Sequence, residues 1–313
     1  MSMAEYNFNI LKVFSIIVTH NGKNWYDRCF SSLQKSDVPI DIIVVDNASS
    51  DGTIDYIGEK FPDITLIQSK ENLGFAKANN IGLKYALEQE ADYVFLLNQD
   101  AWLNQTYTIS TLIKQSKENQ EYAILSPLQL YGSANKIERE VLMHFARNAE
   151  IGDDFISDLY FNRVRDLYNV PFACAVCWLL PIKTVKKIGG FDPLFYHYGE
   201  DDNYIHRVRY FGYQVGICPK VSISHDIKER SKGYRGKNLD WRKYLLINLG
   251  NINHELNLKR ILKRKLRTML VQVLRYNKKL LKQSYPEYVY LKSMHSALDK
   301  SRSQNKIKNA NWL

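Results

Sequence analysis

Val44-Val45-Asp46-Asn47-Ala48-Ser49-Ser50-Asp51-Gly52-Thr53 starts inside an apolar run, Ile42 to Val45, and stops abruptly in two acids and several small polar residues. The pattern recurs further along, where Tyr93-Val94-Phe95-Leu96-Leu97 ends in Asn98-Gln99-Asp100. Acids at the ends of buried strands are how an open α/β sheet builds a site for a polar ligand or a cation. These two strand ends set the frame for the rest of the chain.

Working outward, Phe14 to Thr19 is a short β-branched run and reads as a strand, as do Ile40 to Val45, Thr65 to Ile67 and Tyr93 to Leu97. Between them, Tyr26 to Gln34 carries Tyr26, Phe30 and Leu33 on one helical face. Asp51-Gly52-Thr53 opens a helix that ends near Pro62, and Gly74 to Glu88 has helical periodicity. Strand-helix alternation with short links predicts parallel strands with right-handed crossovers, and near-continuous apolar strands predict a sheet covered on both faces. Beyond Ala123 the order loosens. Ile124–Leu130, Phe172–Leu180 and Gln214–Cys218 read as strands and Asp202–Phe211 as a helix, while Arg139–Asn169 is charged and irregular. The fingerprints G-x-G-x-x-G and G-x-x-x-x-G-K-[ST] are absent, which argues against dehydrogenase and P-loop chemistry.

The 313 residues, 45% of them hydrophobic, suffice for one large core or two. The four cysteines include a lone C-x-x-C, Cys174 and Cys177, set in the apolar Phe172–Leu180 run without histidines or a second pair at zinc spacing, so buried thiols are expected. Met1 to Asn9 is polar and lacks a signal-like apolar stretch, and no window reaches the ~18 apolar residues of a membrane span. A cytoplasmic location, soluble or peripheral on the membrane, is the expectation. The net charge of +10 is concentrated at one end: His254 to Leu313 holds 15 Lys and Arg against 3 Asp and Glu, which leaves −2 for residues 1–253.

Thr19-His20-Asn21, the Asp46–Thr53 segment, Asn72-Leu73-Gly74-Phe75-Ala76 with Asn79, Leu97-Asn98-Gln99-Asp100, and Gly189-Gly190-Phe191-Asp192 followed by Gly199-Glu200-Asp201-Asp202 occur in this order. In these motifs the chain resembles family 2 glycosyltransferases of the GT-A fold, in particular the bacterial rhamnosyltransferase and galactofuranosyltransferase-like branch, over roughly residues 12 to 230. The resemblance implies a Rossmann-like α/β body with a mixed, mostly parallel sheet and flanking helices over residues 1–238, followed by a basic helical C-terminal region over 239–313. It implies an inverting, metal-dependent transfer of a sugar from a UDP- or dTDP-sugar to a glycan or glycolipid acceptor, with Mg²⁺ or Mn²⁺ as cofactor.

Carried onto this sequence residue by residue, the resemblance places Asp46 at the nucleobase, where a carboxylate can accept the N3–H of uracil or thymine. Thr19, Asn21, Asn47, Asn72, Gly74, Asn79 and Asn98 would complete the nucleotide-sugar pocket. Asp51 reads more simply as a helix cap. Asn98-Gln99-Asp100 stands where the family has its D-x-D metal motif. Asn98 keeps an oxygen but removes a charge, so Asp100 is the metal ligand, with His225 completing the site as a neutral imidazole. Asp201 is the expected catalytic base, with Glu200 next and Asp202 third. One base suffices because the metal stabilises the leaving diphosphate. Three adjacent acids also suit a helix start. Trp178, Gly190 and Asp202 fall on the acceptor side.

Past Asp240 the pattern turns helical. Leu245, Leu249, Ile252 and Leu256 recur at helical spacing, as do Leu258, Leu262, Leu266, Met269 and Val273, with Lys259, Arg260, Lys263, Arg264 and Arg267 on the intervening faces. Three readings stand: an amphipathic element on an anionic membrane, an apolar stripe for a protein partner or a homodimer, or a solvated cap. No nucleic-acid reading motif accompanies the charge. Ser301–Leu313 is expected to fray. Besides the transferase, a degenerate transferase-like module binding nucleotide or glycan fits the Asn at 98. A nucleotidyltransferase would want a better triphosphate loop than His20-Asn21-Gly22-Lys23-Asn24.

Overall fold

The computed structural model describes residues 11–146, 154–227, 241–309 and 311–313. The first four strands are β1 (Val13–Thr19), β2 (Asp41–Asp46), β3 (Thr65–Gln68) and β4 (Tyr93–Leu97), joined by α1 (Tyr26–Gln34), α2 (Thr53–Lys60) and α3 (Gly74–Glu88). They lie in the order β3-β2-β1-β4 and every pair is parallel. Consecutive strand residues serve opposite faces. Ile16, Val45 and Leu96 join α3 residues such as Ala76 and Leu83 in one core, while Ile17, Val44 and Phe95 meet Tyr26, Phe30 and Leu33 of α1 in the other. Burial on both faces is why β1, β2 and β4 are mostly apolar, whereas the edge strand β3 is only partly buried.

The second half extends the sheet with antiparallel and parallel neighbours. After β5 (Ala101–Leu103) and α4 (Thr108–Glu118) come β6 (Tyr122–Tyr131), α5 (Arg139–Ala146), α6 (Phe155–Tyr160), β7 (Tyr168–Asn169), β8 (Cys177–Pro181), α7 (Ile182–Ile188), α8 (Glu200–Tyr210) and β9 (Gln214–His225). The sheet runs β3-β2-β1-β4-β8-β6-β9-β5, with β7 attached to β9. A register shift takes β9 from Cys218 opposite Pro127 to Ser222 opposite Leu128. Such a shift bends a strand, and the far end of β9 then pairs antiparallel with β5, placing His225 opposite Ala101.

Three expectations need correction here. The apolar stretch from Phe172 is a strand only from Cys177. Its earlier residues form a loop whose Ala173 carbonyl accepts the Trp178 indole N–H at 3.2 Å. The Arg139–Asn169 segment is not irregular throughout: it holds α5, α6 and β7, with Phe145, Phe155 and Tyr168 packed ring to ring. The stretch expected to fray from Ser301 instead continues the last helix to Asn305, and Asn311 and Trp312 hydrogen-bond to Gln304 and Asn305.

Three helices follow the body: α9 (Trp241–Gly250), α10 (Leu258–Leu274) and α11 (Lys278–Asn305). Helix α9 stops at Gly250, so Ile252 and Leu256 lie in the link rather than on its stripe. Leu246, Leu249, Leu258, Leu291 and Leu298 form a third core around Phe195 of the α/β body. At the end of α11, Ser301 and Asn305 donate to the buried Asp192 carboxylate at 2.5 and 2.8 Å, and Arg302 donates to the carbonyls of Leu249, Asn251 and His254. Buried polar groups persist only when paired in this way. The boundary expected between residues 238 and 239 lies outside the described residues, as does the polar stretch Met1–Asn9. Among the described residues no helix is long and apolar enough to cross a membrane.

Candidate functional site

The carboxyl-end loops of β1 to β4 meet around one cleft of about 430 Å³, lined by His20, Asn47, Asn72, Gly74, Asn98, Gln99, Asp100, Tyr196 and His197, with Val18 and Phe75 at its base. This is the edge at which open α/β sheets bind ligands, because the loops there diverge between strands. Of the expected residues, Asn47, Asn72, Gly74, Asn98 and Asp100 reach the lining.

The loops are clipped together by side-chain amides and hydroxyls. Thr19, opposite Asp46 in the β1–β2 register, donates to its carboxylate at 3.3 Å, and the Ser49 backbone N–H donates to the other oxygen at 3.1 Å. Both residues are buried behind the cleft wall. Asn21 adopts a positive φ of 52° and accepts from Ser50 N at 2.8 Å, joining the loops after β1 and β2. Asp51 accepts from the backbone N–H of Thr53, the first residue of α2, but from one position ahead of the N-cap, which is Gly52, so the expected cap is not Asp51 itself. Asn47 donates to Asn72 Oδ1 at 2.9 Å and accepts from Leu73 N at 2.7 Å, so its amide holds the loop after β3. That loop needs Gly74: its φ is +75° and an added Cβ would run into the Tyr196 carbonyl. Tyr196 also donates to the Asn72 carbonyl at 3.0 Å and so packs against the loop that leads into α3.

Asn79 does not reach the cleft. Its amide donates back to the Phe75 carbonyl inside α3, and its neighbour Asn80 does the long-range work, pairing with both the N–H and the C=O of Phe191. Sequence reasoning also missed Gln99, whose amide pairs with both backbone polar groups of His20 at 3.0 and 3.2 Å.

Asp100 and His225 converge beside the cleft. His225 Nε2 lies 3.4 Å from Asp100 Oδ1, and its Nδ1 lies 2.8 Å from Glu138 Oε1. Burial lowers the His225 pKa, but hydrogen bonds to Asp100 and Glu138 outweigh it and push the value up to about 9. A cation at Nε2 would displace the proton held there, so binding would release it. The donor set fits a hard divalent ion. A carboxylate oxygen and an imidazole nitrogen 3.4 Å apart suit one coordination sphere, and such sites take one or two carboxylates and leave the rest to phosphate and water. Among the described residues no cluster of three or more His, Cys, Asp or Glu is arranged to hold an ion, so substrate oxygens would have to complete this one. Glu138 holds the ring's other nitrogen, as carboxylates do behind ligating histidines.

The three acids open α8, behind Gly199 in a left-handed conformation (φ +97°). The loop carrying Tyr196 and His197 leads from the cleft directly into them. Burial, then repulsion from Asp202, pushes Asp201 up to about 7, while burial and the neighbouring Asp201 push Glu200 to about 8. Burial also raises Asp202. Burial and the repulsion among these neighbouring acids thus hold Glu200 and Asp201 well above the usual carboxylate range.

The acceptor-side expectations for Trp178 and Gly190 meet a different arrangement. Trp178 is wholly buried, stacked on Phe191 and tilted against Tyr204, so it is core. Gly190 lies under the chain terminus: its N–H donates to the Asn311 carbonyl at 2.8 Å, and a Cβ there would meet Asn80 and Leu313. Buried Arg207 donates to the carbonyls of Ile188 and Gly190, completing the grip on this segment. Of the C-x-x-C pair, Cys177 is buried and Cys174 half-buried, and both are free thiols.

A family model described as glycosyl transferase family 2 matches residues 15–189. Among curated relatives, the low-salt glycan biosynthesis hexosyltransferase Agl10 of Haloferax volcanii is 24% identical over 192 residues, covering 59% of this chain and 59% of that protein. The match thus spans less than two thirds of that relative. The dTDP-rhamnosyl transferase RfbF of Shigella flexneri is 25% identical over 239 residues, 72% of this chain and 73% of that one. Among solved structures, the mannosyltransferase PcManGT of Pyrobaculum calidifontis, in complex with GDP-Man and Mn²⁺, superposes with a TM-score of 0.53 at 17% identity, covering 94% of this chain and 73% of that one. That likeness is one of fold, and the fold is GT-A.

Proposed function

This chain belongs to glycosyl transferase family 2, and we propose that it moves a sugar, with inversion, from a UDP- or dTDP-sugar to a hydroxyl of a lipid-linked glycan on the cytoplasmic face of a membrane. The observation that carries this reading is the placement of Asp100 on the wall of the cleft shared by Asn72, Gly74 and Asn98, with His225 beside it. The dTDP-rhamnosyl name of one relative supports the choice of donor class.

In this reading Asp46, buried and fixed by Thr19 and Ser49, would meet the nucleobase N3–H only after the loops covering it open, because its carboxylate does not reach the cleft lining. Asp100 and His225 would hold Mg²⁺ or Mn²⁺, which when bound neutralises charge on the diphosphate leaving group. Tyr196 and His197 border the cleft on the side leading to α8 and help exclude water from it. Asp201 accepts the proton of the acceptor hydroxyl as that oxygen attacks the anomeric carbon. The basic C-terminal helices bring the enzyme to the membrane that carries the acceptor.

Replacing Asp201 by Asn tests the assignment. The variant is expected to bind nucleotide as the parent does and to transfer no sugar. Undiminished turnover would remove Asp201 from the mechanism. The second reading, a nucleotide-binding module without turnover, is favoured by one observation, the Asn at 98. It predicts no transfer by the parent protein with any sugar nucleotide.

A further inference from the structure

Helix α10 carries two apolar stripes, not one. Leu258 and Met269 are buried, and with Ile261 and Leu262 they face the third core and α11. Leu266, Leu270, Val273 and Leu274 recur at i, i+4, i+7 and i+8 on the outer face, and all four are exposed. The outer stripe leads into the turn between α10 and α11, where Leu274 is 78% and Tyr276 87% exposed. From Leu256 to Pro286 the chain carries ten Lys and Arg and no Asp or Glu. Lys259 and Lys263 continue the outer face toward the start of α10, and Arg260, Arg264, Arg267 and Lys306 line a groove alongside it.

One face therefore grades from cations near the body to large apolar side chains at the hairpin tip. Nucleic acid would engage the cations but leave Leu274 and Tyr276 in water. A second copy would bring the same positive charge against it. An anionic lipid surface complements both halves. We infer that the α10–α11 hairpin docks end-on to an anionic bilayer, its tip of Leu270, Val273, Leu274 and Tyr276 entering the headgroup–acyl boundary while the cations of α10 engage lipid phosphates behind it. This rests on the membrane contact of the proposed function and locates it. Of the three readings left open by the sequence it keeps the membrane one, but not with α10 lying flat, because part of the helix's apolar surface is spent on protein packing. Eleven residues from Lys263 to Leu274 span about 16 Å of helix, enough to keep the cations at headgroup level. Arg275, Lys278 and Lys279 surround the tip and hold it at the boundary, their stems lying along the acyl surface.

The full chain is tested by co-sedimentation with phosphatidylcholine vesicles, with and without phosphatidylglycerol, using an environment-sensitive fluorophore on Leu274→Cys and, separately, on Lys259→Cys. The native cysteines are buried or half-buried, which favours labelling at the new site. Binding is expected only with phosphatidylglycerol, with a blue shift at 274 and little change at 259, and Leu274→Asp should weaken partitioning by about tenfold or more. Sedimentation with no shift at 274 and no effect of Leu274→Asp overturns the end-on tip but leaves membrane contact standing. No sedimentation with either vesicle overturns membrane contact as well, while transfer to a water-soluble acceptor would still report on the transferase reading. A dimer in vesicle-free solution that Leu274→Asp dissociates would assign the tip to a second copy and overturn the inference.

Discussion

Glu138 Oε1 lies 2.8 Å from His225 Nδ1, across 87 residues of sequence, and leaves the opposite ring nitrogen facing Asp100. The buried carboxylate sets the orientation of the imidazole, and an imidazole fixed in this way presents a single nitrogen to a cation. Glu138→Gln should therefore weaken Mn²⁺ affinity by about 10- to 100-fold, measured as the metal concentration needed for nucleotide binding. Equal metal dependence in variant and parent would leave Glu138 a purely structural partner.

The pH profile follows from Asp201. With its carboxyl raised to about 7, the base is protonated in acid, so kcat is expected to fall about tenfold per pH unit below that value and to level off above it. Stability runs the other way. A carboxyl whose folded pKa is raised binds its proton more tightly when folded, so its contribution is full below the unfolded value and is lost as pH rises through 7. Asp201→Asn should therefore raise the melting temperature at pH 8 and not at pH 4. A flat rate profile across pH 6 to 8 would contradict the assignment.

The last turns of α11 are fastened to the α/β body. Asp192 accepts from Leu194 N, Ser301 Oγ and Asn305 Nδ2 while almost fully buried. Asp192→Ala leaves three donors without their acceptor and should cost about 3 kcal/mol, read as a shift of the denaturation midpoint. Ser301→Ala should cost less, since Asn305 still donates. A loss below about 1 kcal/mol for Asp192→Ala would mean the terminus is held by packing alone.

Much of the first half was legible because β2 and β4 are short apolar runs closed by Asp46 and Asn98, β1 is a β-branched run of the same kind, and the helices between the strands carry one apolar face. Gly74–Glu88 and Tyr93–Leu97 fall where the periodicity puts them. Two kinds of feature were not legible. Apolar content alone does not separate a strand from a covered loop, so Phe172–Val176 read as strand although only Cys177–Pro181 pairs. Contacts across long sequence separation leave no local pattern, which hid Glu138, the clip from Asn80 to Phe191, and the docking of Ser301 and Asn305 on Asp192. Asn79 and Asn80 are adjacent on one helix, and a rotation of about 100° decides which of them points at a neighbour.

Gly74 gives a test of the cleft's shape. Its positive φ and the nearby Tyr196 carbonyl leave no room for a side chain. Gly74→Ala should displace the Tyr196 loop and raise KM for the donor about tenfold or more, with a smaller change in kcat. Unaltered donor KM would show that the loop is free to move and does not shape the donor site.

Asp100 and His225, beside the cleft of Asn72, Gly74 and Asn98, are proposed to bind a nucleoside diphosphate through a divalent cation. Calorimetric titration with UDP, dTDP, GDP and CMP, each with and without Mn²⁺, tests this most directly. UDP or dTDP should bind with Mn²⁺ and lose about tenfold or more in affinity without it, and Asp100→Ala should abolish the metal effect. Binding that ignores the metal, or no binding by any of the four, would contradict the account.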